Sequence, residues 1–405
     1  MRDVIIVGGG ASGLVAALIL ARQKKQVTLL EHNEKIGRKI LATGNGKCNF
    51  TNQYQTKSCY RGENPNFAWN LIQQCGMEDY VSFMYSIGIA AKQKNGYYYP
   101  YSEQASSIVE ALLLELSYRK VKIKCKEHVT DIMPADGGYI VSTKTYNYQA
   151  KKVILACGGQ AAPILGSDGS GYELARKLGH SITPLFPALV ALKVADKNMQ
   201  KLAGIRIKAE IHLIISDKDV ACEFGEIQFT ASGISGIPVF QISRYATHAI
   251  IKGEKAVAIL TFLPDFTNDT LMEYFKNQAA INGYKSILQT LQNLMDRKLA
   301  EVILDELGVG KTKAISECKI LELEHLATKI KGFQLPIRGM NGYEQAQVTA
   351  GGINTNEICE TTLESVYHKG VYFTGELVDV DGTCGGYNLQ WAFTSASVAA
   401  THAAK

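Results

Sequence analysis

The hydrophobic positions change period along the chain, and the changes mark its parts. Val4-Ile5-Ile6-Val7 is a continuous β-branched run, the pattern of a strand buried on both faces. From Ser12 to Lys24 apolar residues recur at helical spacing, and Gln26-Val27-Thr28-Leu29-Leu30-Glu31 reads as the next strand. Strand, glycine turn, helix and strand within 31 residues is the layout of a βαβ unit with a parallel pair. A strand at Lys152–Ala156 ends in Gly158-Gly159, and a helix over Gly171–Leu178 is closed by Gly179.

Near residue 190 the rhythm alters. Gly204 to Ile214 alternates apolar and polar residues, which predicts an antiparallel strand with one wet face. Ala256–Phe262 and Phe333–Ile337 read as strands of the same layer. Between them Ile287, Leu288, Leu291, Leu294, Met295, Leu299, Val302 and Ile303 form an amphipathic helical stripe. After residue 343 glycine-rich α/β sequence returns, with a strand at Gly370–Thr374 and a final helix from about Leu389 to Ala404. The expected organisation is one α/β domain from 1–190 and 341–405, a β-rich insert from 191–264 and 332–340, and a helical part over 265–331.

Composition narrows the function classes. The chain is 46% hydrophobic and 20% charged with 9 prolines, which excludes a disordered protein. A formal charge of +5 over 405 residues argues for no nucleic-acid or membrane surface, so the expected partner is a small-molecule substrate, and the oligomeric state stays open. No basic n-region precedes the first strand, and the longest apolar run, Leu14–Ala21, is too short to span a bilayer, so a cytoplasmic protein is expected. The 9 cysteines are widely spread without a C-x-x-C pair, so neither a disulfide framework nor a metal site is expected.

The chemistry is carried by glycines. Gly8-Gly9-Gly10-Ala11-Ser12-Gly13 fits G-x-G-x-x-G between a strand and a helix, and Glu31 closes the second strand. In such a unit Gly8 makes the turn, Gly10 admits a pyrophosphate and Gly13 brings the helix close to the strand. The helix start at Ala11 and Ser12 favours negative charge, and Glu31 would accept hydrogen bonds from ribose hydroxyls. Arg38 and Lys39 would face phosphate oxygens, while Thr43, Gly44, Asn45, Gly46 and Lys47 would bring backbone N–H groups to a flat ring. Gly375-Glu376 ends a strand, and Gly385-Gly386 opens a helix through Tyr387, Asn388 and Leu389. Two helix N-termini on one elongated ligand suggest a dinucleotide with a redox-active ring, and flavin suits this better than nicotinamide alone.

The chain resembles, along its whole length, the two-dinucleotide-binding-domain flavoproteins, within them the family of 3-dehydro-bile-acid Δ4,6-reductase and aminoacetone-oxidase-type flavoproteins. The resemblance rests on Gly8–Leu14, Gly37–Asn49, Phe229-Thr230, Gly233-Ile234-Ser235-Gly236, Thr349-Ala350-Gly351-Gly352 and Gly375-Glu376 through Gly385–Gln390. It implies bound FAD in a Rossmann-like domain interrupted by a β-rich, barrel-like insert and a small helical domain. It also implies an adenine contact through the backbone of Val129, with Ala156 and Gly158 at the same cofactor. The implied reaction is reduction of an activated C=C bond in a cyclic enone, a 3-oxo-Δ4 or 3-oxo-Δ4,6 steroid or bile acid, with NAD(P)H as a transient co-substrate. A peroxide-forming amine oxidase and a non-catalytic flavin sensor are the competing readings. Three departures stand out. Ala231-Ser232 replaces a histidine after Phe229-Thr230, which leaves Thr230, Ser232 and Tyr387 as candidate catalytic donors. Gly96-Tyr97-Tyr98-Tyr99-Pro100 lacks an arginine, and Cys157 stands in Ala156-Cys157-Gly158-Gly159 where threonine is usual.

Overall fold

Val4, Ile5 and Ile6 are almost wholly buried, as a strand covered on both faces requires. In the computed structural model, which describes all 405 residues, this strand (Arg2–Val7) lies at the centre of a parallel sheet. On one side it pairs with Val27–Leu30, which pairs with Lys122–Lys124. On the other it pairs with the second half of Asn147–Leu155, whose far edge takes Val371–Phe373. The first half of Asn147–Leu155 turns antiparallel, pairing with Gly138–Thr143 and through it Val129–Ala135. Helices Ala11–Arg22 and Tyr387–Ala403 pack together beside this sheet, so the first and last stretches of the chain share one core.

The chain divides into two compact units, residues 1–187 with 346–405, and residues 188–345. The second unit is built on a closed antiparallel barrel: Leu192–Val194, Gly233–Ser235, Lys218–Thr230, Arg206–Ile215, Ala256–Phe262 and Phe333–Met340. Along Arg206–Ile215 the residues Ala209, Ile211 and Leu213 point inward and the even-numbered ones outward, the alternation seen in the sequence. Two features of this unit depart from the sequence pattern. Ile237–Ile251 is a helix inside the stretch expected to be β-rich. Its β-branched residues mimic a strand, but Val239, Ile242, Ala246 and Ala249 recur at three and four and are buried. The stripe over 287–303 is two helices, Ile287–Leu291 and Arg297–Leu307, because the Asp296 carboxylate accepts from the Lys298 N–H and starts a new helix. The helical segment has no separate core: Leu271, Phe275, Leu299, Ile303 and Leu326 join the apolar cluster of the barrel. No helix is long and apolar enough to cross a membrane.

Candidate functional site

Val7, Leu30, Leu155 and Phe373 end parallel strands on one edge of the sheet, where α/β folds bind ligands. The turn after Val7 explains its glycines one by one. A Cβ on Gly8, at φ +108°, would lie 2.3 Å from the Ala156 carbonyl oxygen, and one on Gly13 would lie 1.9 Å from the Gly8 carbonyl oxygen. Both are required by packing inside the protein. A Cβ on Gly10 would meet nothing within 4 Å. No protein atom claims that space, which lies at the start of helix Ala11–Arg22. The first helical bond there runs from the Leu14 N–H to the Gly10 carbonyl, so the N–H groups of Ala11, Ser12 and Gly13 have no helical acceptor. An open cradle facing N–H donors suits a diphosphate.

Glu31 follows the second strand and is buried. Its carboxylate accepts from the Gly9 N–H (2.7 Å) and from the backbone and side-chain N–H groups of Asn33 (2.8 and 2.7 Å). It therefore holds the glycine turn in shape. The Glu127 N–H donates to the Glu31 carbonyl at 2.9 Å, which brings the segment entering Val129 alongside the acid. Two histidines absent from the sequence reading gather here: the His32 and His128 rings are 5.7 Å apart, and Asp168 Oδ2 is 3.8 Å from His32 Nδ1. The only sequence signal was adjacency, since His32 follows Glu31 and His128 precedes Val129.

Arg38 and Lys39 have partners other than those the sequence suggested. The Arg38 guanidinium donates to Asn33 Oδ1 at 2.8 Å. Lys39 Nζ pairs with Glu376 at 2.7 Å and donates to the Ala161 carbonyl at 3.2 Å. The other Glu376 oxygen accepts from the Thr349 N–H at 2.7 Å, and Thr349 Oγ1 accepts from the Gln160 and Ala161 N–H groups at 2.8 and 3.0 Å. Lys39, Gln160, Thr349 and Glu376 thus tie together four motifs separated in sequence, and Lys39 is a tether between loops. Replacing Lys39 with methionine removes a largely buried ion pair and leaves Glu376 with one partner fewer. A stability loss of about 1 kcal/mol, read by urea denaturation, is expected. FAD affinity should fall about three- to tenfold as the loops loosen.

Arg38–Ala42 is a short helix, and the following Gly44, Asn45 and Gly46 all have positive φ (56°, 53° and 85°). Thr43 is committed to the Ile40 carbonyl (2.6 Å), and Lys47 is an exposed partner of Glu103 (3.1 Å). The loop then runs directly against the second glycine motif. A Cβ on Gly386 would lie 2.9 Å from Asn49 Oδ1 and from the Thr51 backbone. Thr51 Oγ1 donates to Gln390 Oε1 (2.5 Å), and Asn52 Nδ2 donates to the Gly385 carbonyl (3.2 Å). Asn49 Oδ1, which faces Gly386 at the opening of helix Tyr387–Ala403, is buried without a hydrogen-bond partner. Gly375, at φ +67°, is equally confined: its Cβ would lie 2.8 Å from Ser12 Oγ, and its carbonyl accepts from the Trp391 indole at 2.9 Å. Gly158, at φ +75°, follows Ala156 and Cys157 on the neighbouring strand end, and the Cys157 thiol is pushed up to about 12 by burial.

Gly375 sits between the two helices, facing Ser12 of Ala11–Arg22 on one side and accepting from Trp391 of Tyr387–Ala403 on the other, and the helices themselves pack together. The open space at Gly10, the donor-rich helix starts, the acid at Glu31 and the unpartnered Asn49 oxygen together fit a flavin dinucleotide. FAD would be held by Gly8–Gly13 at its diphosphate, by Glu31 at its ribose, and by the Gly44–Gly46 and Gly386–Leu389 backbones at its ring.

The candidate donors fare differently. The Tyr387 hydroxyl donates to the Tyr54 carbonyl at 2.8 Å, and burial pushes its ionisation far above the usual phenol range. It is a packing residue, set edge-on against Tyr60. Tyr387→Phe should keep the pH–rate profile and lose about 1 kcal/mol of stability, the worth of one neutral hydrogen bond; a shift of a kinetic pKa would show instead that the hydroxyl exchanges protons during turnover. Asn388 is likewise committed, pairing both amide atoms with Gly382 at 2.8 and 2.9 Å. Thr230 lies in the second unit at the end of a strand, and Thr230 pairs with Gly233, so Ala231 and Ser232 form the hairpin turn between them. Leu389 is half-buried at the helix start. Tyr97 approaches within 3.3 Å of a Cβ built on Gly385, which places the aromatic stretch beside the second glycine motif.

Known proteins agree with this architecture. The HI0933-like protein Rossmann domain family matches residues 2–402. The chain is 42% identical, over its full length and the full length of the relative, to a 3-dehydro-bile acid delta(4,6)-reductase of Clostridium scindens. It is 33% identical, over 97% of this chain and 96% of the relative, to a ribosomal RNA dihydrouridine synthase of Haemophilus influenzae. Among solved structures, a 3-ketosteroid delta1-dehydrogenase from Sterolibacterium denitrificans superposes with a TM-score of 0.50 at 12% identity, covering 100% of this chain and 99% of that one. That likeness is one of fold.

Proposed function

The chain belongs to the HI0933-like Rossmann family and is an FAD-dependent oxidoreductase, and from that premise we propose that it saturates a C=C bond conjugated to a ring carbonyl. The substrate class is a 3-oxo-Δ4 or 3-oxo-Δ4,6 steroid or bile acid, and the electrons come from NAD(P)H. The observation that carries this reading is the full-length 42% identity to a reductase of that kind, and the open cradle at Gly10 supports it. Dihydrouridine is uridine with its ring C=C bond saturated, so the names of these two relatives share one class of chemistry. The steroid-type acceptor is favoured by the higher identity and by the near-balanced charge of the chain, since RNA binding draws on clustered basic side chains. The amine-oxidase reading has less support: the bovine flavin-containing amine oxidase A matches 80 residues, 20% of this chain.

Bound FAD supplies a centre that accepts and delivers hydride. The protein supplies position and field. The N–H groups of Ala11 to Gly13 would offset the charge of the diphosphate, and Glu31 would orient the ribose end. The opening of helix Tyr387–Ala403 presents partial positive charge where negative charge would develop on reduction. Thr51, Gln390, Asn52 and Asn388 fix that opening by hydrogen bonds, so it needs no rearrangement during turnover.

Only one G-x-G-x-x-G with its acid is present, so a nicotinamide donor would bind transiently. Anaerobic stopped-flow mixing of the FAD-loaded protein with NADH and with NADPH tests the electron source. Bleaching of the flavin by at least one of them is expected; an unbleached flavin with both at millimolar concentration overturns the nicotinamide link.

A further inference from the structure

On the outer wall of the barrel, His212 lies between two carboxylates. Its Nδ1 is 2.7 Å from Asp219 Oδ2, and its Nε2 is 2.7 Å from Glu210 Oε1. A neutral imidazole can donate from one nitrogen only, so the second contact needs either another proton or a cation in its place. The third neighbour decides what that cation would be. Cys222 is the cross-strand partner of His212, and its Sγ lies 3.6 Å from His212 Nε2 and 3.4 Å from Glu210 Oε1. A tetrahedral zinc with its sulfur ligand at about 2.3 Å and its nitrogen ligand at about 2.05 Å separates those donors by about 3.5 Å. The sulfur-to-nitrogen and sulfur-to-oxygen edges already have that length. The nitrogen-to-oxygen edge is shorter, as a hydrogen bond between the two would make it.

We propose that Glu210, His212 and Cys222 bind a zinc ion, with Asp219 holding His212 by its Nδ1–H. The donor set of one thiolate, one imidazole and one carboxylate suits zinc and disfavours magnesium and calcium, which take oxygen ligands. Asp219 then has the position of the carboxylate that orients a ligating histidine and fixes its tautomer. Three protein ligands leave a fourth position for water. The site spans the hairpin of Arg206–Ile215 and Lys218–Thr230, so an ion there would clamp the barrel wall. The spacing of cysteines along the chain conceals this arrangement. Glu210 and His212 share a face because they are two apart on a strand, and Cys222 joins them only through the register of the pair.

The test uses the full-length, FAD-loaded protein after chelator treatment. Zinc is titrated against a chromophoric chelator, and cobalt(II) is added separately as a spectroscopic probe. The expected result is one zinc bound at least tenfold more tightly by the unmodified protein than by Cys222→Ser or His212→Ala, with Asp219→Asn weaker by about tenfold. A thiolate-to-cobalt charge-transfer band should appear in the difference spectrum and vanish in Cys222→Ser. The cluster of His32, His128 and Asp168 contains no sulfur and cannot give that band. Flavin content and far-ultraviolet circular dichroism report whether each variant is folded. If a variant is not, the unmodified protein carries the test: the band supports the site and its absence overturns it. Equal zinc affinity in the unmodified protein and in folded Cys222→Ser also overturns it.

Discussion

Gly10→Ala yields a folded protein that has lost most of its FAD. The alanine Cβ meets no protein atom within 4 Å, and Gly10 sits at φ −83° and ψ −166°, a conformation open to any residue. The stability of the FAD-free protein should therefore change by no more than about 1 kcal/mol, the difference between glycine and alanine at a helix N-cap. The methyl group would instead occupy the space that a bound diphosphate would need. Overfilling a packed contact costs about 1–3 kcal/mol, which corresponds to a rise of about 5- to 150-fold in the Kd for FAD. Flavin fluorescence titration of the apoprotein measures it. An unchanged Kd would show that no ligand approaches Gly10, and the cradle would then be a turn.

Gly13→Ala has the opposite signature and a larger effect. Alanine is the better helix former by about 1 kcal/mol, and position 13 lies within a helix. The helix, however, crosses the first turn so closely that the new Cβ would stand 1.9 Å from the Gly8 carbonyl oxygen and 3.4 Å from the Ala156 Cβ. Backbone of the strand end or the whole helix must move. A loss of at least about 3 kcal/mol is expected, a large share of the 5–15 kcal/mol that holds a typical domain together. Urea denaturation of the FAD-free variant should show a lower midpoint. Together the two variants separate the glycine that the fold requires from the glycine that the ligand requires.

The parallel core was legible because burial on both faces leaves a continuous β-branched run, and Val4–Val7 is one. The two glycine motifs were legible because close approach excludes a side chain, as it does at Gly8, Gly13 and Gly386. The wet face of Arg206–Ile215 likewise announced an antiparallel strand through its alternation, and its closure into a barrel was implied only by the family resemblance. What stayed hidden depends on pairing between distant segments. Lys39 reads as a phosphate ligand until Glu376 is placed 2.7 Å away, more than three hundred residues along the chain. Tyr387 reads as a donor until its hydroxyl is found on the Tyr54 carbonyl. Helix Ile237–Ile251 was concealed by its own β-branched residues, whose burial at helical spacing becomes evident only against the barrel. The gathering of Glu210, His212 and Cys222 needed strand register, which composition and motif spacing do not contain.

Delivery of hydride from the flavin to a C=C bond conjugated to a ring carbonyl can be followed without a nicotinamide donor. The FAD-loaded protein is reduced anaerobically with one equivalent of dithionite and mixed with a 3-oxo-Δ4 steroid, while a uridine-containing ribosomal RNA fragment is run in parallel. The oxidised-flavin spectrum is expected to return with the steroid, one saturated product forming per flavin, while the RNA leaves the flavin reduced. A flavin that stays reduced with the steroid until air is admitted would contradict it.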